Sequence, residues 1–244
     1  MALATFNFSS IALSKMVAVN VIIPETFPGK LPVLYLLHGL TDDYTVWLRR
    51  SRIEWYVKDT PLIVVMPDGG RGFYTNNDEG PAWATFIAEE LPRFIERMLP
   101  AREDRAGRFI SGLSMGGYGA MRLALGYPDR FASAVSHSGS LQVWNYRPEI
   151  TSLGPDEHRR IFGPHADGTQ HDLLHLAAMA KSTGNLPRLK IDCGVDDFLL
   201  SSSRAFRDGL AKMNIDFRYD EFAGAHTWDY WDAHVREGIE FHLS

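Results

Sequence analysis

Two short runs of this chain consist only of aliphatic and aromatic residues and methionine: residues 33–37 (VLYLL) and residues 62–66 (LIVVM). Such runs are typical of strands that are buried on both faces, as in a parallel sheet with helices packed on either side. Turn-forming residues follow each run: His38-Gly39 after the first and Pro67-Asp68-Gly69-Gly70 after the second. The two runs therefore predict an α/β fold in which strands alternate with helices.

The rest of the chain continues this alternation. Residues 4–10 and 16–23 alternate apolar with small or polar residues, which predicts an antiparallel pair at the edge of the sheet. Further strands are predicted at residues 108–111, 131–137, 189–193 and 216–222. Helices are predicted at residues 83–98 with a kink at Pro92, and at residues 115–125, 201–213 and 228–242. The pattern predicts a mostly parallel sheet with helices on both faces and right-handed crossovers.

The length of the chain and its composition fit one domain that covers residues 1–244. The chain has 244 residues, of which 45% are hydrophobic and 23% charged, and no linker divides it. Residues 139–182 do not follow the strand–helix repeat, so they are predicted to form an insert near the active site. Whether this insert is a lid or a contact between subunits stays open. An exposed aromatic patch on it would indicate a homo-oligomer.

Charge and composition exclude several function classes. The chain has 25 Lys and Arg against 30 Asp and Glu, a net charge of −5 that does not attract a phosphate backbone, so no nucleic-acid partner is expected. The single cysteine, Cys193, excludes an internal disulfide framework and a Cys-rich metal site, and we expect it to be buried and inert. No apolar run approaches the ~18 residues of a membrane span, and no basic residue precedes Lys15. We therefore expect no membrane partner and a cytoplasmic location, although a signal peptide removed beforehand would leave no trace.

The sharpest chemical motif is Gly112-Leu113-Ser114-Met115-Gly116. It lies between a predicted strand and a helix rich in glycine and alanine, which is the context of a nucleophile elbow. A serine on such a tight turn stands clear of the sheet, and small residues on both sides let the turn form. Ser114 is therefore the predicted nucleophile.

A serine hydroxyl needs a base to become nucleophilic at neutral pH. In folds with a nucleophile elbow, the acid and then the histidine follow the serine along the chain, each on a loop after a later strand. The strand predicted at residues 189–193 is followed by Gly194-Val195-Asp196-Asp197, and the last predicted strand is followed by Gly224-Ala225-His226. Asp197 is therefore the predicted acid and His226 the predicted base.

Other residues compete for these two roles. Asp196 adjoins Asp197, and we prefer Asp197 because it lies three residues beyond the glycine that ends the strand. Asp192 falls within a predicted strand and is expected to be structural. Among the histidines, His234 falls on a predicted helix, His137 precedes the acid in chain order, and His38 is expected to hydrogen-bond within its own loop.

The developing oxyanion needs two preorganised donors. One is predicted to be the backbone N–H of Met115, the residue after the nucleophile. The loop after residues 33–37 should supply the other, and the N–H of Leu40 is the best candidate because Gly39 allows the backbone to turn its amides inward.

Two weaker signals concern metal and substrate binding. His171 and His175 have the spacing of two ligands on one helix face, but no third ligand accompanies them, so a solvent-facing helix is preferred and no metal is expected. Several aromatic residues fall near the predicted catalytic edge, and some should wall an acyl or aryl pocket: Trp47, Phe73, Tyr74, Trp144 and Trp228.

Taken together, the motifs of this chain resemble those of the esterase D family of α/β hydrolases, which includes S-formylglutathione hydrolases, tributyrin esterases and feruloyl or acetyl-xylan esterases. The stretches that carry the resemblance are Leu36-Leu37-His38-Gly39-Leu40, Val64-Val65-Met66-Pro67-Asp68, Phe73-Tyr74-Thr75-Asn76, Ser111-Gly112-Leu113-Ser114-Met115-Gly116-Gly117-Tyr118-Gly119, Cys193-Gly194-Val195-Asp196-Asp197-Phe198 and Gly224-Ala225-His226-Thr227-Trp228. The resemblance implies an α/β-hydrolase fold with an eight- to nine-stranded sheet. It also implies a carboxylesterase that uses Ser114, His226 and Asp197 without a cofactor.

The predicted function is a serine carboxylesterase that acts on a small-molecule ester with a short acyl or aryl group. The alternatives are an S-formylglutathione thioester hydrolase, an acyltransferase to a sugar hydroxyl, and a non-catalytic binding module on a hydrolase scaffold. The formylglutathione branch carries a cysteine soon after the oxyanion glycine, where this chain reads Gly39-Leu40-Thr41-Asp42-Asp43, and a histidine at the position of Leu113. The sequence is therefore more similar to the general bacterial esterases.

Overall fold

A computed structural model describes residues 1–147 and 152–244, and an eight-stranded sheet forms its centre. The strands are β1 (Ala2–Ser10), β2 (Lys15–Ile23), β3 (Val33–Leu37), β4 (Ile63–Pro67), β5 (Arg108–Leu113), β6 (Ser133–His137), β7 (Arg188–Gly194) and β8 (Arg218–Phe222). They lie side by side in the order β1-β2-β4-β3-β5-β6-β7-β8. β1 and β2 are antiparallel to their neighbours and the other strands run parallel, which confirms the predicted α/β-hydrolase fold and its antiparallel edge pair.

Helices connect the parallel strands. They are α1 (Val46–Arg50), α2 (Ile53–Val57), α3 (Trp83–Thr85), α4 (Leu91–Met98), α5 (Met115–Gly126), α6 (Pro155–Phe162), α7 (Leu173–Ser182), α8 (Leu200–Lys212) and α9 (Trp228–Leu243). A short 3-10 helix spans Arg105–Gly107. No helix within the described residues has both the length and the apolarity to cross a membrane.

The helix predicted at residues 83–98 differs from the prediction in its middle. A π-helical turn, Phe86–Glu90, joins α3 to α4 just before Pro92. Proline has no backbone N–H to donate to the preceding turn, and a wider π turn accommodates that missing bond. The kink expected at Pro92 is thus a change of helix type.

The central strands separate two cores because side chains alternate across a strand. Val33, Tyr35 and Leu37 of β3 pack into a core on one face, which also contains Phe86 of the π turn. Leu34 and Leu36 pack into the core on the opposite face, together with side chains from α1, α2 and α9. All five β3 side chains are fully buried, as the continuous apolar run predicted.

The register of the parallel strands brings several strand ends to one edge of the sheet. Leu37 at the end of β3 pairs with Gly112, and Leu113 at the end of β5 pairs with His137. Gly194 at the end of β7 pairs with Phe222 at the end of β8. The four loops that carry the predicted catalytic and oxyanion residues, after β3, β5, β7 and β8, therefore leave the sheet at the same edge, where ligands of open α/β sheets bind.

The predicted insert contains α6 and α7. The Trp144 indole donates to Asp167 over 3.2 Å, and Nε2 of His158 lies 2.7 Å from the carbonyl oxygen of Val143. Phe162 of α6 packs edge-to-face against Phe73, at a ring distance of 5.5 Å. The two hydrogen bonds hold residues 139–182 together, and the contact between Phe162 and Phe73 attaches them to the rest of the protein beside the catalytic edge.

The proposed solvent-facing helix carrying His171 is wrong. His171 is buried and precedes α7, whose N-terminus is capped by Asp172 through its contacts with the backbone N–H groups of Leu174 and His175. Only His175 lies on the helix, where it is exposed. The i, i+4 spacing did not reveal where the helix begins. The N-capping Asp172 lies between the two histidines, so the helix starts after His171 and includes His175.

Candidate active site

Ser114 lies on a strained turn between β5 and α5. Its backbone has φ 53° and ψ −115°, a combination that L-residues rarely adopt. The surrounding structure holds it there: the Ser114 N–H donates to the carbonyl oxygen of His137 over 3.0 Å, and the Ser114 carbonyl accepts from the N–H of Tyr118 over 3.1 Å. The strain raises the hydroxyl above the sheet edge, where it is partly exposed.

The glycines on either side of this turn leave room for close backbone approach. A Cβ atom on Gly112 would lie 2.4 Å from the backbone of Gly116. A Cβ atom on Gly116 would lie 2.6 Å from the carbonyl oxygens of both Leu37 and His38. Because backbone atoms cannot move aside as a flexible side chain can, both positions require glycine.

A continuous chain of hydrogen bonds joins Ser114, His226 and Asp197. Nε2 of His226 lies 3.0 Å from Oγ of Ser114, and Nδ1 of the same ring lies 2.9 Å and 3.1 Å from the two carboxylate oxygens of Asp197. The Asp197 side chain is fully buried, whereas the His226 side chain is 19% exposed. The carboxylate fixes the tautomer with a proton on Nδ1, which leaves the Nε2 lone pair directed at the serine hydroxyl.

The loops after β7 and β8 are locked to each other, and this contact distinguishes Asp197 from Asp196. The N–H of Asp196 donates to the carbonyl oxygen of Gly224 over 2.9 Å. A Cβ atom on Gly194 would lie 2.3 Å from the same oxygen. In this arrangement the Asp196 side chain is exposed to solvent, and the Asp197 carboxylate points inward, where it also accepts from the N–H of Leu199 over 2.8 Å.

The loop after β3 is held by hydrogen bonds of His38. Nε2 of His38 accepts from the N–H of Gly69 over 2.9 Å, so Nδ1 carries the proton that it donates to the carbonyl oxygen of Gly39 over 2.7 Å. The hydroxyl of Tyr74 donates to the carbonyl oxygen of His38 over 3.0 Å. The loop that bears Leu40 is therefore fixed before any substrate arrives.

Leu40 and Met115, the two predicted oxyanion donors, both border the cavity that contains Ser114. Within the described part of the chain, neither backbone N–H donates to a protein acceptor. Two unpaired amides beside a nucleophilic hydroxyl have the chemistry that a tetrahedral oxyanion requires.

Two cavities meet at Ser114. The first, here named the Phe73 cavity, has a volume of about 290 Å³ and is lined by Leu40, Thr41, Phe73, Ser114, Met115, Ser140, Ser152, Phe198 and His226. The second, here named the Asp42 cavity, has a volume of about 280 Å³ and is lined by Gly39, Leu40, Thr41, Asp42, Leu113, Ser114, His226, Thr227, Trp228 and Trp231. Leu40, Thr41, Ser114 and His226 border both, so an ester bond at Ser114 would extend one group into each.

Of the five aromatic residues predicted for the pocket, two border the cavities at Ser114 and three lie elsewhere. Phe73 and Trp228 border the two cavities. Trp47 is fully buried and donates to the carbonyl oxygen of Leu37, and Tyr74 is fully buried under the His38 loop. Trp144 borders a separate cavity of about 460 Å³ within the insert.

Sequence reasoning missed three side chains that border the site. The ring of Phe198 lies 4.7 Å from that of His226, and the ring of Trp231 lies 4.9 Å away at 90°. Asp42 lines the second cavity. Phe198 directly follows the predicted acid, and Trp231 lies in the first turn of the helix after the predicted base, so proximity to those residues was the available signal.

The competing histidine and aspartate belong to a separate buried cluster. Nδ1 of His137 lies 2.9 Å from the Asp192 carboxylate, which also accepts from the hydroxyl of Tyr230 over 3.1 Å. Nζ of Lys190 lies 3.7 Å from the same carboxylate. His234 stacks on Phe222 along α9. None of these side chains bonds to Ser114.

Cys193 is buried at the end of β7. Burial raises the pKa of its thiol to about 12, and the nearby Asp197 charge acts in the same direction. The thiolate is the reactive form, so this cysteine is inert at neutral pH. Within the described residues, no group of three His, Cys, Asp or Glu side chains is arranged to hold a metal ion.

Comparisons with known proteins show the family of this chain. A family model described as "Putative esterase" matches residues 10–241. An acetyl esterase of Caldicellulosiruptor saccharolyticus is 31% identical, and the match covers 99% of this chain and 98% of the relative.

Two solved structures from Staphylococcus aureus are similar over the whole chain. The fluorophosphonate-binding serine hydrolase FphF has a TM-score of 0.90 and 29% identity, and covers 100% of this chain and 98% of its own. The S-formylglutathione hydrolase FrmB has a TM-score of 0.87 and 29% identity, and covers 100% of this chain and 99% of its own.

Proposed function

The chain belongs to the esterase family that the matching model describes and is a serine-type carboxylic ester hydrolase; from this premise we propose that it hydrolyses short-chain acyl or aryl esters through Ser114, His226 and Asp197. The observation that carries the proposal is the unbroken hydrogen-bond chain from the Ser114 hydroxyl through the His226 ring to the buried Asp197 carboxylate.

In this mechanism Ser114 Oγ attacks the ester carbonyl while Nε2 of His226 accepts its proton. Asp197 orients the ring and stabilises the imidazolium that forms, because a buried carboxylate 2.9 Å from Nδ1 interacts strongly with the new positive charge. The backbone N–H groups of Leu40 and Met115 donate to the oxyanion of the tetrahedral intermediate. His226 then delivers its proton to the leaving alcohol.

The resulting acyl-enzyme is hydrolysed by the same groups acting in reverse. His226 takes a proton from a water molecule, which attacks the acyl carbon, and Ser114 leaves with that proton. The size of the Phe73 cavity, about 290 Å³, supports a short acyl chain or a single aryl ring.

The test is labelling and turnover in one experiment. We expect a fluorophosphonate probe to modify the native protein at Ser114 with loss of p-nitrophenyl acetate hydrolysis, and Ser114→Ala to be neither labelled nor active. A folded Ser114→Ala variant that keeps its turnover would exclude the proposal. A panel of p-nitrophenyl esters of increasing chain length then measures the preferred acyl group.

A second candidate is hydrolysis of a glutathione thioester. It is favoured by the similarity to the structure of an S-formylglutathione hydrolase over the full chain. Comparing kcat/KM for S-formylglutathione and for p-nitrophenyl acetate separates the two. Adding an acceptor alcohol such as a sugar, and measuring the ratio of transfer product to free acid, separates hydrolysis from acyl transfer.

A further inference from the structure

The Asp42 cavity carries a charge that the proposed mechanism does not use. Of all the described residues that line the two cavities at Ser114, Asp42 is the only acidic one, none is a lysine or an arginine, and His226 is the only other side chain that can ionise near neutral pH. Among the described residues, Asp42 therefore contributes the one acidic side chain that faces a substrate in these cavities.

The Asp42 carboxylate lies close to the nucleophile. A Cβ atom on Gly39 would lie 3.3 Å from Oδ2 of Asp42 and 3.7 Å from Cβ of Ser114. Oδ2 of Asp42 and Cβ of Ser114 are therefore at most about 7 Å apart. Within the described part of the chain no Lys or Arg nitrogen lies within 4.0 Å of the Asp42 carboxylate, although the more distant charge of Arg50 acts to lower its pKa. Burial raises the pKa of Asp42 above its ordinary value, the nearby His38 acts in the opposite direction, and the side chain is partly exposed to solvent.

The position of the two cavities indicates which half of the ester meets this charge. Both predicted oxyanion donors border the Phe73 cavity, so the carbonyl and its acyl group belong there. The Asp42 cavity also borders His226, the group that protonates the leaving alcohol, and Thr227, Trp228 and Trp231 line it but not the Phe73 cavity. The leaving alcohol therefore extends toward Asp42 and two indole rings, and both an indole face and a carboxylate favour a positive charge.

We propose that Asp42 sets the charge selectivity for the leaving group, so that esters of anionic alcohols or thiols are disfavoured against their neutral and cationic counterparts. The inference rests on the proposed role of Ser114 as nucleophile. It predicts weak turnover of glutathione thioesters, whose leaving thiol is a net anion with two carboxylates and one ammonium group.

The test uses substrates that differ in charge and not in shape. 4-Acetoxybenzoate has an anionic leaving group, and 4-acetoxybenzamide is its neutral isostere. We expect the ratio of kcat/KM for the amide to that for the carboxylate to fall about tenfold in Asp42→Asn, because the variant removes a charge within several ångströms of the leaving group. Taking the ratio between variants cancels the intrinsic reactivity of the two esters.

The matched control is Asp43→Asn. Asp43 is the adjacent residue, lies outside both cavities and bonds to the N–H and hydroxyl of Thr45, contacts that an asparagine oxygen also makes. Removing its charge should leave the ratio unchanged. A second pair of substrates, mono-4-nitrophenyl adipate and its amide, places the charge on the acyl half, where we expect the Asp42→Asn change to be less than about twofold.

Three results would overturn the inference: an unchanged ratio in Asp42→Asn, an equal change in Asp43→Asn, or a larger change for the acyl-side pair. Each is distinguishable from failure of the proposed function. If hydrolysis of the neutral ester depends on Ser114, the proposed function stands whatever the charge ratio is, whereas no Ser114-dependent hydrolysis would remove both.

Discussion

Nε2 of His226 lies 3.0 Å from Oγ of Ser114, although 112 positions of the chain separate the two residues. The serine lies at the end of β5, and the histidine lies on the loop after β8, three strands away in the sheet. Because the strands run parallel, both loops leave the same edge of the sheet. This arrangement allows a proton to pass from Ser114 to His226.

Replacing Ser114 or His226 by alanine should lower kcat/KM for p-nitrophenyl acetate by a factor on the order of 10⁴. Each change removes one partner of the proton transfer, and the two losses should not add, because both residues act in the same step. Steady-state kinetics measure the effect, with circular dichroism to verify folding. His234→Ala is the control: this histidine stacks on Phe222 away from the serine, and its loss should change kcat/KM less than about threefold.

Asp197→Asn should lower kcat by about 10³- to 10⁴-fold, because an amide cannot hold the His226 tautomer that accepts the serine proton. Asp196→Asn is the matched comparison, since its side chain is exposed and only its backbone N–H contacts the Gly224 loop. We expect less than about a twofold change there. Similar losses in both variants would show that our choice between the two carboxylates is wrong.

Gly116→Ala should destabilise the protein by about 3 kcal/mol and lower its activity, because the added methyl group meets two backbone carbonyl oxygens at 2.6 Å. Urea unfolding measures the change. Gly126→Ala lies in the same helix, where the methyl group would meet only Leu176 at 3.8 Å. That substitution should leave stability unchanged or raise it by about 0.5 kcal/mol, since alanine loses less backbone entropy on folding.

The protein should lose stability as the pH falls below about 6.5, in part through His171. Burial, and then the nearby charge of Arg122, lowers the pKa of His171 from 6.5 to about 4. Between these values the unfolded chain binds a proton that the folded protein does not, so the free energy of unfolding decreases as pH falls, and the contribution present above pH 6.5 is lost by about pH 4. Burial also lowers the pKa of His242 and of His158, with the same sign.

His171→Leu should reduce this pH slope by up to about 1.4 kcal/mol per pH unit near pH 5. Urea unfolding at several pH values measures it. Near pH 8, where His171 is neutral in both states, the two proteins should differ only by the change in packing. An identical slope in the variant would mean that His171 does not titrate in this window.

Cys193 should resist alkylation in the folded protein. Burial raises the pKa of its thiol to about 12, so almost no thiolate is present at about pH 8. Burial also keeps iodoacetamide from reaching the sulfur. Mass spectrometry should find no adduct under native conditions and complete modification in urea. Rapid native labelling would contradict the burial of this side chain.

The parts of the fold that depend on local patterns could be predicted from the sequence. The all-apolar run of β3 indicated a strand buried on both faces, and each of its five side chains is buried. Strand ends were predicted less well: the last strand begins at Arg218, two residues later than predicted, because Asp216 and Phe217 belong to the irregular loop between α8 and β8. Strand ends depend on neighbouring strands, which a local pattern does not contain.

At the site, the residue types and their chain order identified Ser114, Asp197 and His226 as partners, and the structure brings these three within hydrogen-bonding distance. The walls of the cavities could not be predicted in the same way. Trp47 and Trp228 were both predicted to line the pocket because they are aromatic and fall near the catalytic edge. Trp47 is fully buried, whereas Trp228 borders the Asp42 cavity. Which face of an aromatic ring meets a cavity depends on the packing of elements distant in sequence.

The sequence by itself determined the chemistry available to this protein: a serine on a glycine-flanked turn, a histidine and an aspartate on later loops, and strands apolar enough to form the centre of a sheet. Only the tertiary structure decided that two cavities meet at the serine, and that the carboxylate of Asp42 lies in one of them. The physical reason is that residue type and chain order are local properties, whereas a cavity exists only where several loops leave an unfilled space between them.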